Sequence, residues 1–65
     1  MTNLDKLPKI TKLAKMIGDK LISTDFIKDG IMFRYEIGLP RFYEEVDSGI
    51  ETEIARLERL LAVDI

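Results

Sequence analysis

The sequence predicts an α+β domain ordered helix–β-hairpin–helix, with both helices packed on one face of a two-stranded antiparallel sheet. Three observations carry that prediction. Asp29-Gly30 sits between two runs of alternating character, and Asp-Gly signals a hairpin because both central residues of a type I′ turn need positive φ. An apolar stripe at helical spacing precedes those runs, and another follows them. The sheet so formed has one apolar face, which two helices with one stripe each would cover.

The first helix is expected over about Pro8 to Ile17. Pro8 suits the first turn, where its missing N–H costs nothing. Ile10, Leu13, Ala14, Ile17 and Leu21 follow one stripe, while Lys9, Lys12 and Lys15 point the other way. Gly18 fits the left-handed residue that ends a helix. Whether Leu4 to Leu7 adds a preceding turn is left open by Pro8.

With Asp29-Gly30 as the loop, Ile22 lies opposite Ile37, Thr24 opposite Tyr35, Phe26 opposite Phe33 and Lys28 opposite Ile31. On the other face Ser23 meets Glu36, Asp25 meets Arg34 and Ile27 meets Met32. This register gathers Ile22, Phe26, Phe33, Tyr35 and Ile37 on the core side and sets an acid against a base on the other. A one-residue slip would scatter the apolar set.

Gly38-Leu39-Pro40 breaks the pattern. Arg41 to Val46 reads equally as a helical turn opened by Pro40 or as an irregular crossing loop. Ser48-Gly49-Ile50-Glu51 fits a capping box with Ser48 as N-cap. The last helix then runs from about Gly49 to Leu61 or Ala62, with Ile50, Ile54, Leu57 and Leu61 as its stripe. Glu53 and Arg56 form an exposed pair three residues apart.

A chain of 65 residues makes one small domain over 1–65, close to the lower size for folding without disulfides or metals. It holds no cysteine and no histidine. That removes the thiol nucleophile, the commonest zinc ligands and the usual base at neutral pH. No run approaches a membrane span, and the start shows no charged-then-apolar signal pattern. The expected location is the cytoplasm of the cell that makes it. Charge is uneven. Residues 1–20 hold five lysines against Asp5 and Asp19, whereas residues 44–65 hold seven acids against Arg56 and Arg59. Complementary ends favour packing within one molecule or docking between copies.

No catalytic, cofactor or metal site is expected. Ser23 and Ser48 have structural explanations, as a strand position and a cap. Glu44, Glu45, Asp47 and Glu51 lack the spacing of a calcium loop and suit a helix start. The lysine face of the first helix reads as a solvated face, so nucleic acid is not an expected partner. Surplus hydrophobicity is the better signal. Ile27, Met32, Phe42, Tyr43, Val46, Leu60 and Val63 remain once the core is filled, and they are the expected protein interface. Phe42, Tyr43 and Met32 are its best anchors by residue type.

The order of elements, with Gly18-Asp19-Lys20, Ile27-Lys28-Asp29-Gly30, Phe33-Arg34-Tyr35-Glu36 and the capped segment from Ser48 to Leu60, resembles the gpW family of phage head–tail joining proteins. The Gly38 to Asp47 connection is longer and more aromatic than in that family. The resemblance implies a small virion component of phage morphogenesis that folds alone and assembles as a ring of copies at the neck. A second reading is a small soluble regulator or inhibitor that binds a partner protein through its hairpin and aromatic loop.

Overall fold

The computed structural model describes residues 3–63. A 3₁₀ turn, Asn3–Lys6, leads into helix α1, Leu7–Met16. Strands β1 (Leu21–Ile27), β2 (Gly30–Tyr35) and β3 (Arg41–Tyr43) follow, and helix α2 (Val46–Val63) closes the described chain. The sheet is antiparallel with order β1-β2-β3. The α+β class therefore stands, but the sheet has three strands. The stretch expected as a turn or loop is an edge strand, with Ile31 opposite Tyr43, Met32 opposite Phe42 and Phe33 opposite Arg41.

The hairpin reverses at Lys28-Asp29, one residue before the expected loop. Thr24 lies opposite Phe33, Asp25 opposite Met32, Phe26 opposite Ile31 and Ile27 opposite Gly30. Among the described non-glycine residues only Lys28 has positive φ, at 56°. The reason lies in β3. A Cβ on Gly30 would overlap the carbonyl oxygen of Tyr43 and stand 2.9 Å from the Phe42 ring. Gly30 is thus spent in the ladder, where the third strand needs its bare backbone, and Lys28 takes the strained turn position instead. A bulge between Leu21 and Ser23 brings Leu21 opposite Tyr35.

These shifts redraw the core face. Ile31, Phe33 and Tyr35, alternate residues of β2, are buried together with Ile10, Leu13 and Ala14 of α1 and Ile50, Ile54 and Leu57 of α2. Both helix stripes thus meet one face of the central strand. Ile22, Phe26 and Ile37, expected inside, are exposed at 56%, 56% and 76%. Ile22 falls in the bulge, Phe26 lies on the edge strand, and Ile37 lies beyond β2.

α1 ends where expected. Gly18 has φ +84°; its N–H bonds the carbonyl of Lys15, and the Asp19 N–H bonds that of Ala14, the pairing of a left-handed helix end. The Asp19 carboxylate accepts from the backbone N–H of Ile37 at 2.8 Å and Gly38 at 3.0 Å. One acid therefore ties the end of α1 to the β2–β3 connection. α2 starts three residues earlier than the capping-box reading. Ser48 lies within the helix and its hydroxyl donates to Glu45. The start is held by Asn3, whose backbone and side-chain N–H groups donate to Asp47.

α1 and α2 run in the same direction, because Asn3 meets Asp47, Lys6 meets Glu51 at 3.8 Å and Lys9 meets Glu58 at 3.4 Å. The basic first segment and the acidic last one are thereby joined within one molecule. Such exposed pairs contribute about 0–1 kcal/mol each.

Two substitutions check the turn. Lys28→Gly relieves the left-handed conformation and should raise stability in urea unfolding by up to about 1 kcal/mol. Gly30→Ala should lower it by about 2 kcal/mol, since the methyl group displaces β3. A hairpin reversing at Asp29-Gly30 would show no gain for Lys28→Gly.

Candidate functional site

Two features outside the apolar core stand out: a buried polar cluster on Glu53, and an apolar patch on the sheet face turned away from the helices.

Glu53 lies on the apolar stripe of α2, three residues after Ile50 and four before Leu57, and it is completely buried. α2 reaches the sheet this closely because of Gly49, where a Cβ would come within 2.5 Å of Tyr43 Cβ and 3.1 Å of Ile31 Cγ2. Around the carboxylate the ends of two strands meet the middle of α2. The Tyr35 hydroxyl, from the last residue of β2, donates to Oε2. The Tyr43 hydroxyl, from the last residue of β3, donates to Oε1 at 2.6 Å. Arg56, one turn further along α2, forks onto both oxygens, with Nε at 3.0 Å from Oε1 and a terminal nitrogen at 2.6 Å from Oε2. Arg41 Nε adds a contact at 3.3 Å. The Arg56 guanidinium also lies 5.5 Å from the centre of the Tyr35 ring, and Tyr43 meets Phe33 edge-on at 6.1 Å.

The electrostatics follow from this crowding. Burial alone pushes the Glu53 carboxyl up, but the hydrogen bonds from Arg56, Tyr35 and Tyr43 outweigh it, so the group sits below its ordinary value. Burial, and then the acceptor Glu53, push both tyrosine hydroxyls up. The expected exposed Glu53–Arg56 pair is therefore corrected to a buried carboxylate with its acceptor positions filled. No buried side-chain nitrogen or oxygen among the described residues lacks a partner. This buried, saturated carboxylate clasps α2 to the two strands.

The second feature gathers part of the expected interface. Ile27, Met32 and Phe42 lie on the outer sheet face, with Met32 directly opposite Phe42. The Phe42 ring lies against Gly30, and Gly30 is opposite Ile27. Phe42 is 46% exposed, and Ile27 and Met32 are half-buried. Tyr43 and Val46 are placed elsewhere, packed against the core. Leu60 and Val63 are exposed near the end of α2, remote from the start of that helix, which lies beside Ile31 and Tyr43. Of the acidic loop, Asp47 is held by Asn3 and Glu45 by Ser48. The described residues contain no group of three or more acids that could hold a metal. Among them, no helix is long and apolar enough to cross a membrane.

Sequence spacing alone does not single out the Glu53 cluster, because a three-residue separation from Arg56 also fits a surface pair. The available signal was the stripe itself, since Glu53 interrupts the run of Ile50, Ile54 and Leu57. No protein-family model, curated protein or solved structure matches this chain.

Glu53→Ala leaves Tyr35, Arg56, Tyr43 and Arg41 without their shared acceptor and should cost about 3 kcal/mol in urea unfolding, a large part of the stability of so small a domain. The pH dependence has two sides. The folded-state carboxyl titrates below its ordinary value of 4.5, so its contribution is complete above that pH and disappears as pH falls through the folded value. The tyrosine hydroxyls are raised above 10.0, so theirs is complete below pH 10 and is lost as pH rises through the folded values. Tyr35 and Tyr43 are the two tyrosines of a chain without tryptophan, so tyrosinate absorbance reports on this cluster alone. The titration should show no ionisation at its ordinary pH while the fold persists; ionisation of both groups near pH 10 would mean that the clasp does not form.

Proposed function

We propose that this protein is a non-enzymatic interaction protein of phage morphogenesis, a small head–tail joining component of the virion neck that assembles with copies of itself and with other virion proteins. The observation that carries the reading is the patch of Ile27, Met32 and Phe42 on the sheet face opposite the helices. An exposed aromatic ring flanked by a flexible thioether and a β-branched residue is the composition of an interface core. The resemblance of the helix, Gly-ended turn, hairpin and final helix to the gpW family supplies the virion context. In that setting the protein is made in the host cytoplasm and ends in the particle.

A second reading is a regulator or inhibitor that occupies a partner protein. It is favoured by β3, which holds Phe42 in a set position on the outer face rather than on a loop.

Sedimentation velocity separates the two. The chain should co-migrate with purified portal rings, and Met32→Ser with Phe42→Ser should weaken that association at least about tenfold, as loss of central anchors does. Absence of co-migration, with one host enzyme recovered by affinity capture, would overturn the neck reading in favour of the regulator.

A further inference from the structure

The sheet has two edges of unequal character. β3 is three residues long and follows Pro40, and short or proline-flanked strands make poor templates for pairing. β1 has seven residues, no proline, and two exposed apolar side chains, Ile22 and Phe26. Natural sheets rarely leave such an edge bare.

The hairpin determines which backbone groups that edge presents. Ile27 and Gly30 flank a two-residue loop and so exchange both their hydrogen bonds; Asp25 with Met32 and Ser23 with Arg34 repeat that role along the ladder. Thr24 and Phe26 are the intervening residues, so their N–H and C=O groups point outward. Among the described residues, no backbone hydrogen bond outside the hairpin ladder involves Ile22 to Ile27.

We propose that the outer edge of β1 pairs with β1 of a second copy, antiparallel about a two-fold axis at Thr24. The inference goes beyond the reading above, since it sets a closed pair in place of a ring of copies. What selects a second copy over a foreign strand is reciprocity. With Thr24 on the axis, Ile22 lies opposite Phe26 of the second copy, and Ser23 lies opposite its Asp25. Each exposed apolar residue thereby covers the other, while Ser23 and Arg34 keep the Asp25 carboxylate hydrogen-bonded within each copy. Moving the axis to Asp25 would set two like charges directly opposite each other, which disfavours that register. Lys20 and Lys28 bracket the paired segment and bring like charge to each end of the contact, so added salt strengthens the pair. The product is one sheet of order β3-β2-β1-β1-β2-β3, and the two-fold closes it at two copies.

Sedimentation equilibrium on the full chain tests the pairing. Between about 10 μM and about 1 mM, the range of a small interface, the mass should rise from 7.5 kDa toward twice that value. Amide exchange at Thr24 and Phe26 should slow over the same range. Phe26→Lys, at an exposed position, should weaken the association at least about tenfold with unchanged circular dichroism. Thr24→Pro, which removes an outward N–H, should do the same if it folds. A mass that stays at one copy at every concentration, or a dimer undiminished by Phe26→Lys, overturns the pairing. Larger assemblies that survive Phe26→Lys and dissolve in Phe42→Ser overturn it while leaving the ring reading intact. A wild-type chain that stops at two copies and loses them in Phe26→Lys supports the pairing and removes the ring.

Discussion

The burial of one carboxylate governs this molecule more than any other interaction. An acid placed among isoleucines and leucines on the inner stripe of a helix is strongly destabilising unless its acceptors are filled by charged or strong donors. Glu53 is filled by two tyrosines and two arginines drawn from β2, β3 and α2. Two of the four partners, Arg41 and Tyr43, come from β3, so that strand completes the seat of α2 against the sheet. A three-residue edge strand is thereby made part of the fold. Gly30 and Gly49 are the steric conditions for it, since each admits a neighbour that a Cβ would exclude.

The same clasp orients the outer surface. Successive strand residues alternate faces, so once Arg41 and Tyr43 turn toward Glu53, Phe42 must turn outward. There it meets Met32 and Gly30 on the side of the sheet that carries no helix. The polar cluster inside and the apolar patch outside are consequences of one register.

Charge distribution serves the packing of the helices. α1 and α2 run parallel, an arrangement that sets their dipoles side by side with like ends together. A basic α1 beside an acidic α2 opposes that repulsion, and Lys6–Glu51 with Lys9–Glu58 marks where it does so. The surfaces left over are of two kinds. A patch centred on Phe42 suits contact with an unlike surface, whereas the β1 edge suits contact with itself.

The sequence by itself determined what depends on local periodicity. Ile10, Leu13 and Ala14, and likewise Ile50, Ile54 and Leu57, are the buried apolar side chains of their helices because spacing along a cylinder decides which side chains share a face. Gly18 closes α1 because no other residue type reaches φ +84° so cheaply. That a hairpin follows α1 was legible for the same reason, but its register and reversal were not, and Ile22, Phe26 and Ile37, expected on the core face, are exposed. What only the tertiary structure decided concerns groups that distant segments compete for. Gly30 could serve the turn or admit β3, and the contact with Tyr43 moved the reversal to Lys28-Asp29. Glu53 could pair with Arg56 in water or enter the core, and it entered because Tyr35 and Tyr43 arrive from two strands. Spacing along one chain cannot reveal donors that folding brings from elsewhere.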